Sequence, residues 1–397
     1  MYIRMNVSNI TNQASNLLKT DGASTVIYSL AAIIITVVLF IMLFKVPKDC
    51  YTLPPESTDL VCTSICGTNN TKYRTETILT DGTKVVKYEE GTLKDFYIKS
   101  AYNCCSTGSY KNCNVSVDML KYVIRQGVRL LDFAIYSIDG QPIVATSSLD
   151  NNMKTTYNYL YFSDILEIIR GYAFSSAYCP NPNDPIFIHL RIYSTSNTMI
   201  KNLGDLMQKY TSMFLNTKYS FDNQHDIEHN FGNVYLKDLQ GKVVLFVQKN
   251  TLCYDDRCPL YEYINMITES DIFYALRYYD VENTRDMEYL INHNKQFMTI
   301  VFPDIGDNPP NPGSNTTNVP VSNTYGCQFT CMRYQLKDKY LNDYNAIFNN
   351  KGYAFAVKPE DLRYEPPVYT PPIPQKPGNS YAPRNITGPV QGTSFTI

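Results

Sequence analysis

Between about residues 95 and 365, short and nearly continuous apolar runs alternate with amphipathic stretches of helical period, and no other feature restricts the fold as much. The runs are "VRLLDFAIYSIDG", "PIFIHLRIY", "GKVVLFVQK", "FMTIVFP", "CQFTCMRYQ" and "YAFAVKP". A strand apolar at almost every position suits a sheet covered on both faces, as parallel sheets are by their crossover helices. Between the runs, "FSDILEIIRGYAF" places Ser163 as an N-cap, Asp164 in the first turn, and Ile165, Leu166, Ile168 and Ile169 on one side. "SVDMLKYVIRQG" closes on Gly127, a C-cap residue type, and "IKNLGDLMQKYTSMFL" and "KYLNDYNAIFNNKG" repeat the theme. Such β/α units over roughly 270 residues match the size of one (β/α)8 barrel. A doubly wound sheet satisfies the same periodicity.

The N-terminal part obeys a different constraint. Ala23–Phe44 carries no charge and is rich in Ile, Val and Leu, long enough to cross a ~30 Å hydrocarbon core. A secretory signal would have an apolar region of only about 7–15 residues and a small-residue cleavage site. The reading is therefore a retained single-pass anchor over 23–46, behind a polar head over 1–22. A Cys-containing connector over 47–94 follows, with a hairpin turning at Asp81-Gly82. Arg4 and Lys19 precede the span and Lys45 and Lys48 follow it, so the positive-inside balance sets no orientation. All 11 Cys lie after the anchor, which favours an oxidising compartment, with a luminal, extracellular or virion-exposed C-terminal domain. The alternative is a reduced domain with buried thiols. Zinc is disfavoured, because Cys62 and Cys66 have no matched second pair. A formal net charge of −2 without a basic block excludes nucleic acid as a natural partner. The 34 Tyr and absence of Trp fit an AT-rich genome of the kind large DNA viruses carry.

"YGCQFTCMRYQ" followed by "YAFAVKPEDLR" resembles the end of the Y-box of eukaryotic phosphoinositide-specific phospholipase C, through Gly326, Cys327, Gln328, Gly352, Tyr353, Lys358, Pro359, Leu362 and Arg363. "QGVRLLDFAIYSIDGQPIV", "FSDILEIIRGYAF", "NPNDPIFIHLRI" and "LKDLQGKVVLF" resemble successive X-box blocks in the same order. The resemblance divides the barrel into an X-box-like half, 95–250, and a Y-box-like half, 251–365. It implies an α/β fold, a distorted (β/α)8 TIM barrel of the PLC-like phosphodiesterase type, with a phosphoinositide or other lipid headgroup as the ligand class. In that family one His takes the proton of the attacking inositol hydroxyl and a second stabilises the transition state. Calcium, held by Asn and acidic residues, neutralises phosphate charge; imidazole and several oxygen ligands are what such steps require.

Laid over those positions, this sequence departs almost everywhere. Tyr102 stands where the first His is expected, beside Asn103, which keeps a calcium-ligand type. The Glu-x-Asp pair becomes Asp132 and Ala134, the second His becomes Thr146, and the last carboxylate becomes Arg191. The phosphate-gripping positions become Phe246, Gln248 and Ile300. A tyrosine, with an ordinary pKa of about 10, is a poor base at neutral pH. The expectation is a catalytically inactive pseudoenzyme with a binding or structural role and no cofactor, or calcium at Asn103 and Asp132 if activity persists. The alternative is an active phosphodiesterase rebuilt around Arg191, Asp132 and Tyr102, since some calcium-independent bacterial relatives use Arg in place of the metal. A receptor-binding ectodomain is a third reading.

Of the four His, His189 shares a strand face with Arg191 and reads as structural, and His225 and His229 in "HDIEH" read as solvent loop rather than metal ligands. His293 carries no role in these readings. Cys104 or Cys105 paired with Cys113 would stiffen the former active-site loop. The tail, 366–397, is Pro-rich and extended. Its Pro366, Pro367 and Tyr369 match a WW-domain ligand, which needs the cytosol. The sequons at Asn69, Asn315 and Asn385 need the opposite side.

Overall fold

The computed structural model describes residues 21–44, 72–78, 84–148, 153–221, 230–249, 258–304, 315 and 319–365, with parts of 383–396. Asp81-Gly82, His225, His229, Pro366, Pro367 and Tyr369 lie outside the described residues. Asp21–Phe44 forms a helix of 24 residues, on which the large apolar side chains from Val26 to Phe40 are exposed. Among the described residues no helix is long and apolar enough to cross a membrane. Strands β1 (Lys72–Ile78) and β2 (Lys84–Glu90) pair antiparallel, the expected hairpin.

The barrel begins at β3 (Phe96–Ala101) and continues through β4 (Leu130–Ile138), whose far end is extended by the antiparallel strands β5 (Gln141–Val144) and β6 (Leu160–Tyr161). It then runs through β7 (Ile186–Ile192), β8 (Val243–Gln248), β9 (Ile264–Thr268), β10 (Phe273–Arg277), β11 (Met298–Phe302) and β12 (Phe329–Met332). Eight strands lie side by side in the order β10, β11, β12, β3, β4, β7, β8, β9, each ladder parallel, and so form a nearly closed TIM-like barrel. The run "YAFAVKP" does yield a strand, β13 (Phe355–Val357), but it pairs antiparallel with Phe96–Ile98 rather than serving as a parallel stave. Residues 364–397 form a separate unit, in which β14 (Asn385–Thr387) and β15 (Ser394–Thr396) make a small antiparallel hairpin.

Strand parity explains the continuous apolar runs. One parity points inward and builds an interior cluster containing Ile98, Leu130, Phe187, Phe246, Ile300 and Phe329. The other parity, including Leu131, Ile188 and Leu245, packs outward against helices. Helix Val117–Arg125, N-capped by Ser116, contributes Leu120 and Val123; Asn197–Lys209 contributes Met199 and Leu203; Lys339–Asn349 contributes Leu341 and Phe348. Gly127 takes φ +77, as a residue just past a helix end must. The expected cap at Ser163 is displaced: the helix starts at Phe162 with Tyr161 as N-cap, because the chain leaves β6 directly into the first turn, and Ser163 bonds only to Asp164.

The signature residues that suggested the family form the amino-end floor of the barrel. Gln328 accepts from the Thr299 amide and donates to the Asn294 and Phe297 carbonyls. Lys358, buried, donates to the Asn294 carbonyl at 3.0 Å, and burial lowers its amine to about 7. Gly326 holds φ +74, where a Cβ would stand 3.6 Å from that amine.

Close packing generates a prediction at Gly204. A Cβ there would lie 2.6 Å from the Leu260 amide nitrogen and 2.8 Å from Pro259 Cβ. Gly204→Ala should therefore destabilise the barrel by about 1–3 kcal/mol in urea denaturation, despite Ala's better helix propensity. An unchanged midpoint would mean that the Pro259–Leu260 segment yields freely.

Candidate functional site

At the carboxyl end of the barrel, register brings the candidate residues together. Asp132 on β4 lies directly opposite His189 on β7, and Ala134 lies opposite Arg191. All four are buried. With only a methyl group at Ala134, the Arg191 side chain folds back toward Asp132. Its Nε donates to Asp132 Oδ1 at 3.0 Å and its Nη2 to Oδ2 at 2.9 Å, a two-pronged ion pair. The same Nη2 donates to Asn103 Oδ1 at 2.6 Å, and Nη1 donates to the Tyr193 hydroxyl at 2.9 Å. Asn103 takes φ +46, a conformation Asn tolerates, and this turns its backbone N–H onto Asp132 Oδ2 at 3.0 Å.

His189 completes the shell. Its Nδ1 is 2.8 Å from Asp132 Oδ1 and its Nε2 is 3.1 Å from Thr268 Oγ1. An ionised carboxylate only accepts, so Nδ1 carries the proton, and Nε2 accepts from the Thr268 hydroxyl. Burial lowers the His189 pKa, and the Asp132 charge opposes this only in part, so the ring is neutral at pH 7. For Asp132, burial works upward, but Arg191 and His189 outweigh it and bring the carboxyl to about 2. Arg191 is held well above its ordinary value by Asp132 against the effect of burial.

A wall of rings closes this network. The Arg191 guanidinium lies 4.5 Å from the centre of the Tyr102 ring, which packs edge-on against Tyr110 at 5.6 Å and against Phe302 at 5.7 Å. Arg333 stands 5.9 Å from the Tyr110 ring on the far side. Thr146 lies outside the Asp132 shell and donates to the Tyr110 carbonyl at 3.1 Å, holding that loop down. Phe246 packs among Phe187, Phe273 and Phe329 in the interior, and Ile300 lies in the same cluster. Gln248 is the exception, with its amide on exposed Glu269 at 2.7 Å. The positions expected to grip phosphate are thus two interior packing residues and a surface amide pair.

The calcium-ligand positions do not fit calcium. The oxygens of Asp132 already receive four donors, and Asn103 Oδ1 faces a guanidinium. A hard divalent ion needs six to eight oxygens, and a cation already occupies the place between these two residues. Among the described residues no group of three or more His, Cys, Asp or Glu is arranged to hold a metal.

Two expectations need correction. Cys104 and Cys105 are free and buried, and burial pushes both thiols up, so neither bonds Cys113 nor serves as a nucleophile at neutral pH. Cys113 is not among the free cysteines. The sequon residue Asn315 is buried, with Nδ2 donating to the Arg333 and Leu336 carbonyls, which leaves no amide hydrogen for a glycan. His293 is structural: burial lowers its pKa, its ring stacks on Tyr274 at 3.7 Å, and its Nε2 meets the Met298 carbonyl. The sequence places His189 on the Arg191 face as a structural residue, but no motif marks Thr268, Tyr110 and Tyr193. The i,i+2 spacing of His189, Arg191 and Tyr193 was the available signal; Thr268 and Tyr110 come from separate elements.

Residues 90–249 match the family model for the X domain of phosphatidylinositol-specific phospholipase C. Among solved structures the chain is similar to PLC21 of L. pealei, with 17% identity and a TM-score of 0.54, over 69% of this chain and 38% of that one. PLC21 of S. officinalis gives 16% identity and a TM-score of 0.51, again over 69% and 38%. This chain therefore corresponds to well under half the length of those proteins, and at such identity the likeness is one of fold. No curated protein sequence matches the chain. Residues 90–249 are thus similar to that X domain, within a TIM-like barrel.

Because the folded pKa of Asp132 lies below the ordinary 3.8, its ion pair stabilises the fold above that value and loses its effect as pH falls toward about 2. Arg191→Ala should cost about 3–5 kcal/mol at pH 7 by leaving a buried carboxylate underpaired. In that variant the loss of stability on acidification should shrink or reverse. Replacing both partners, Asp132→Leu with Arg191→Met, should cost less than Arg191→Ala alone. Denaturation at pH 7 and pH 3 checks all three, and an equal cost for the single and double variants would contradict the pairing.

Proposed function

We propose that this protein is a phospholipase C-like barrel that no longer hydrolyses phosphoinositides and acts as a membrane-anchored binding or structural component of a cellular or viral membrane. One observation carries the reading: the Arg191 guanidinium fills the space between Asp132 and Asn103 while the only imidazole beside them among the described residues, His189, is engaged at both nitrogens and fully buried. A general base must reach the proton it takes, directly or through one water. His189 is closed off by Thr268 and by the Phe302 ring at 5.1 Å. A rebuilt catalytic site around Arg191, Asp132 and Tyr102 meets the same obstacle, since the Tyr102 ring is spent on covering the guanidinium.

Anchoring rests on the sequence of Ala23–Phe44 alone, uncharged and rich in Ile, Val and Leu, since among the described residues no helix is long and apolar enough to cross a membrane. The Cys content after the N-terminal helix supports an oxidising side for the barrel. Asn315 no longer contributes to that placement, which leaves Asn69 and Asn385 as the sequons that bear on it. The WW-ligand reading of Pro366, Pro367 and Tyr369 requires the opposite side and is set aside with it.

Purified full-length chain incubated with phosphoinositide vesicles should release no inositol phosphate above background, with or without calcium. Calcium-dependent release would overturn the reading. Release that is calcium-independent and abolished by Arg191→Ala would replace it with the rebuilt enzyme.

A further inference from the structure

The opposite end of the barrel offers what the mouth lacks. A cavity of about 810 Å³ opens where the segment Thr211–Tyr219 passes beneath the amino ends of β8 and β9. In TIM barrels this end ordinarily serves stability, with binding sites at the other face. Here its lining combines three kinds of group. Phe214 and Tyr263 form an edge-to-face pair at 5.6 Å, and Tyr219 adds a third ring. Asp238 and Glu262 present carboxylates that make no hydrogen bond or ion pair among the described residues. Lys218 holds its ammonium over the Tyr219 ring at 5.6 Å, without a carboxylate partner, and Lys242 is held by the Ser212 carbonyl at 2.9 Å.

Opposite charges that share one concavity without pairing ask for a ligand carrying both signs. Rings beside carboxylates suit an alkylated ammonium, whose charge is diffuse and weakly hydrated. The lysines suit a phosphate as point charges. We propose that this cavity binds a zwitterion joining an alkylammonium group to a phosphate, the chemistry of phosphocholine, either free or as a lipid headgroup. The site lies at the far end of the barrel from Asp132, so it does not depend on whether the mouth is inert.

The test is calorimetric titration of the full-length chain in a maltoside detergent. Phosphocholine should bind saturably and more tightly than either tetramethylammonium or inorganic phosphate. Asp238→Asn with Glu262→Gln should weaken phosphocholine about tenfold, and Lys218→Ala should weaken phosphocholine and phosphate but not tetramethylammonium. The three side chains are exposed, so the variants should melt as the parent does. Mixed micelles containing phosphatidylcholine, set against phosphatidylglycerol, separate the sources: a response to the former that the same substitutions abolish assigns a lipid headgroup, and binding of free phosphocholine alone assigns a soluble ligand. Absence of saturable binding to either, or binding indifferent to the substitutions, overturns the proposal. Inositol phosphate release is a separate readout and leaves this result unaffected.

Discussion

The ion pair between Asp132 and Arg191 governs the carboxyl end of this barrel. Neither charge is tolerable alone at that depth, and each is compensated chiefly by the other. The layer below is apolar, with Phe187, Phe246 and Phe329 packed ring to ring, so there is little dielectric screening from beneath. The carboxylate resolves its own burial by collecting three donors from β7, one on His189 and two on Arg191, and a fourth from the Asn103 amide. Everything placed around it follows: the left-handed turn at Asn103, the neutral imidazole with its proton on Nδ1, and the Tyr102 ring over the guanidinium face.

Scaffold and chemistry have separated along the axis of the barrel. Gly326, Gln328 and Lys358 tie β11, β12 and the segment before β3 into one hydrogen-bonded floor at the amino end. Their role is satisfied entirely by backbone carbonyls and amides, so it survives any change at the other end. Catalytic positions have no such structural duty unless one is supplied. Here Arg191 and Tyr102 form with Asp132 and Asn103 a packed, internally neutralised cluster. A family match therefore speaks for the barrel, and the reaction has to be argued from the mouth alone.

The same separation explains what the sequence made legible. Inward and outward parity could be read from β4, β7, β8, β11 and β12, because helices cover one face and the interior fills the other, and both demand apolar residues. β3 was not readable this way. Its Lys99 and Ser100 break the apolar run, yet both are buried, the lysine donating to the Gln126 carbonyl at 2.6 Å and the serine to the Ile98 carbonyl. β9, "INMIT", is broken by Asn265 and β10, "FYALR", ends on Arg277, so neither offered a continuous apolar run. At the site, Arg191, Asp132 and Asn103, singled out from aligned positions, lie within hydrogen-bonding distance of one another. Tyr110 and Thr268 arrive from a loop and from a strand in the other half, and nothing local in their sequence marks them. The supposed pairing of Cys113 with its neighbours failed for a related reason: Cys104 and Cys105 are drawn into the core beside β3, and proximity in sequence says little about which way a sulfur points.

Sealing the mouth changes where a barrel of this kind can meet a ligand. A phosphate approaching Arg191 would have to displace Asp132 from a two-pronged contact and strip Tyr102 from the guanidinium face, and it would leave a carboxylate stranded next to a neutral imidazole. That exchange trades one buried pair for another and adds an unpaired charge, so it is unfavourable for any ligand without a cation of its own. At the amino end Lys218, Asp238 and Glu262 are exposed, and engaging their side chains breaks no hydrogen bond or ion pair among the described residues. With Arg191 and Tyr102 closed over Asp132, the charge that a ligand could engage without breaking a buried pair lies on the surface at the amino end.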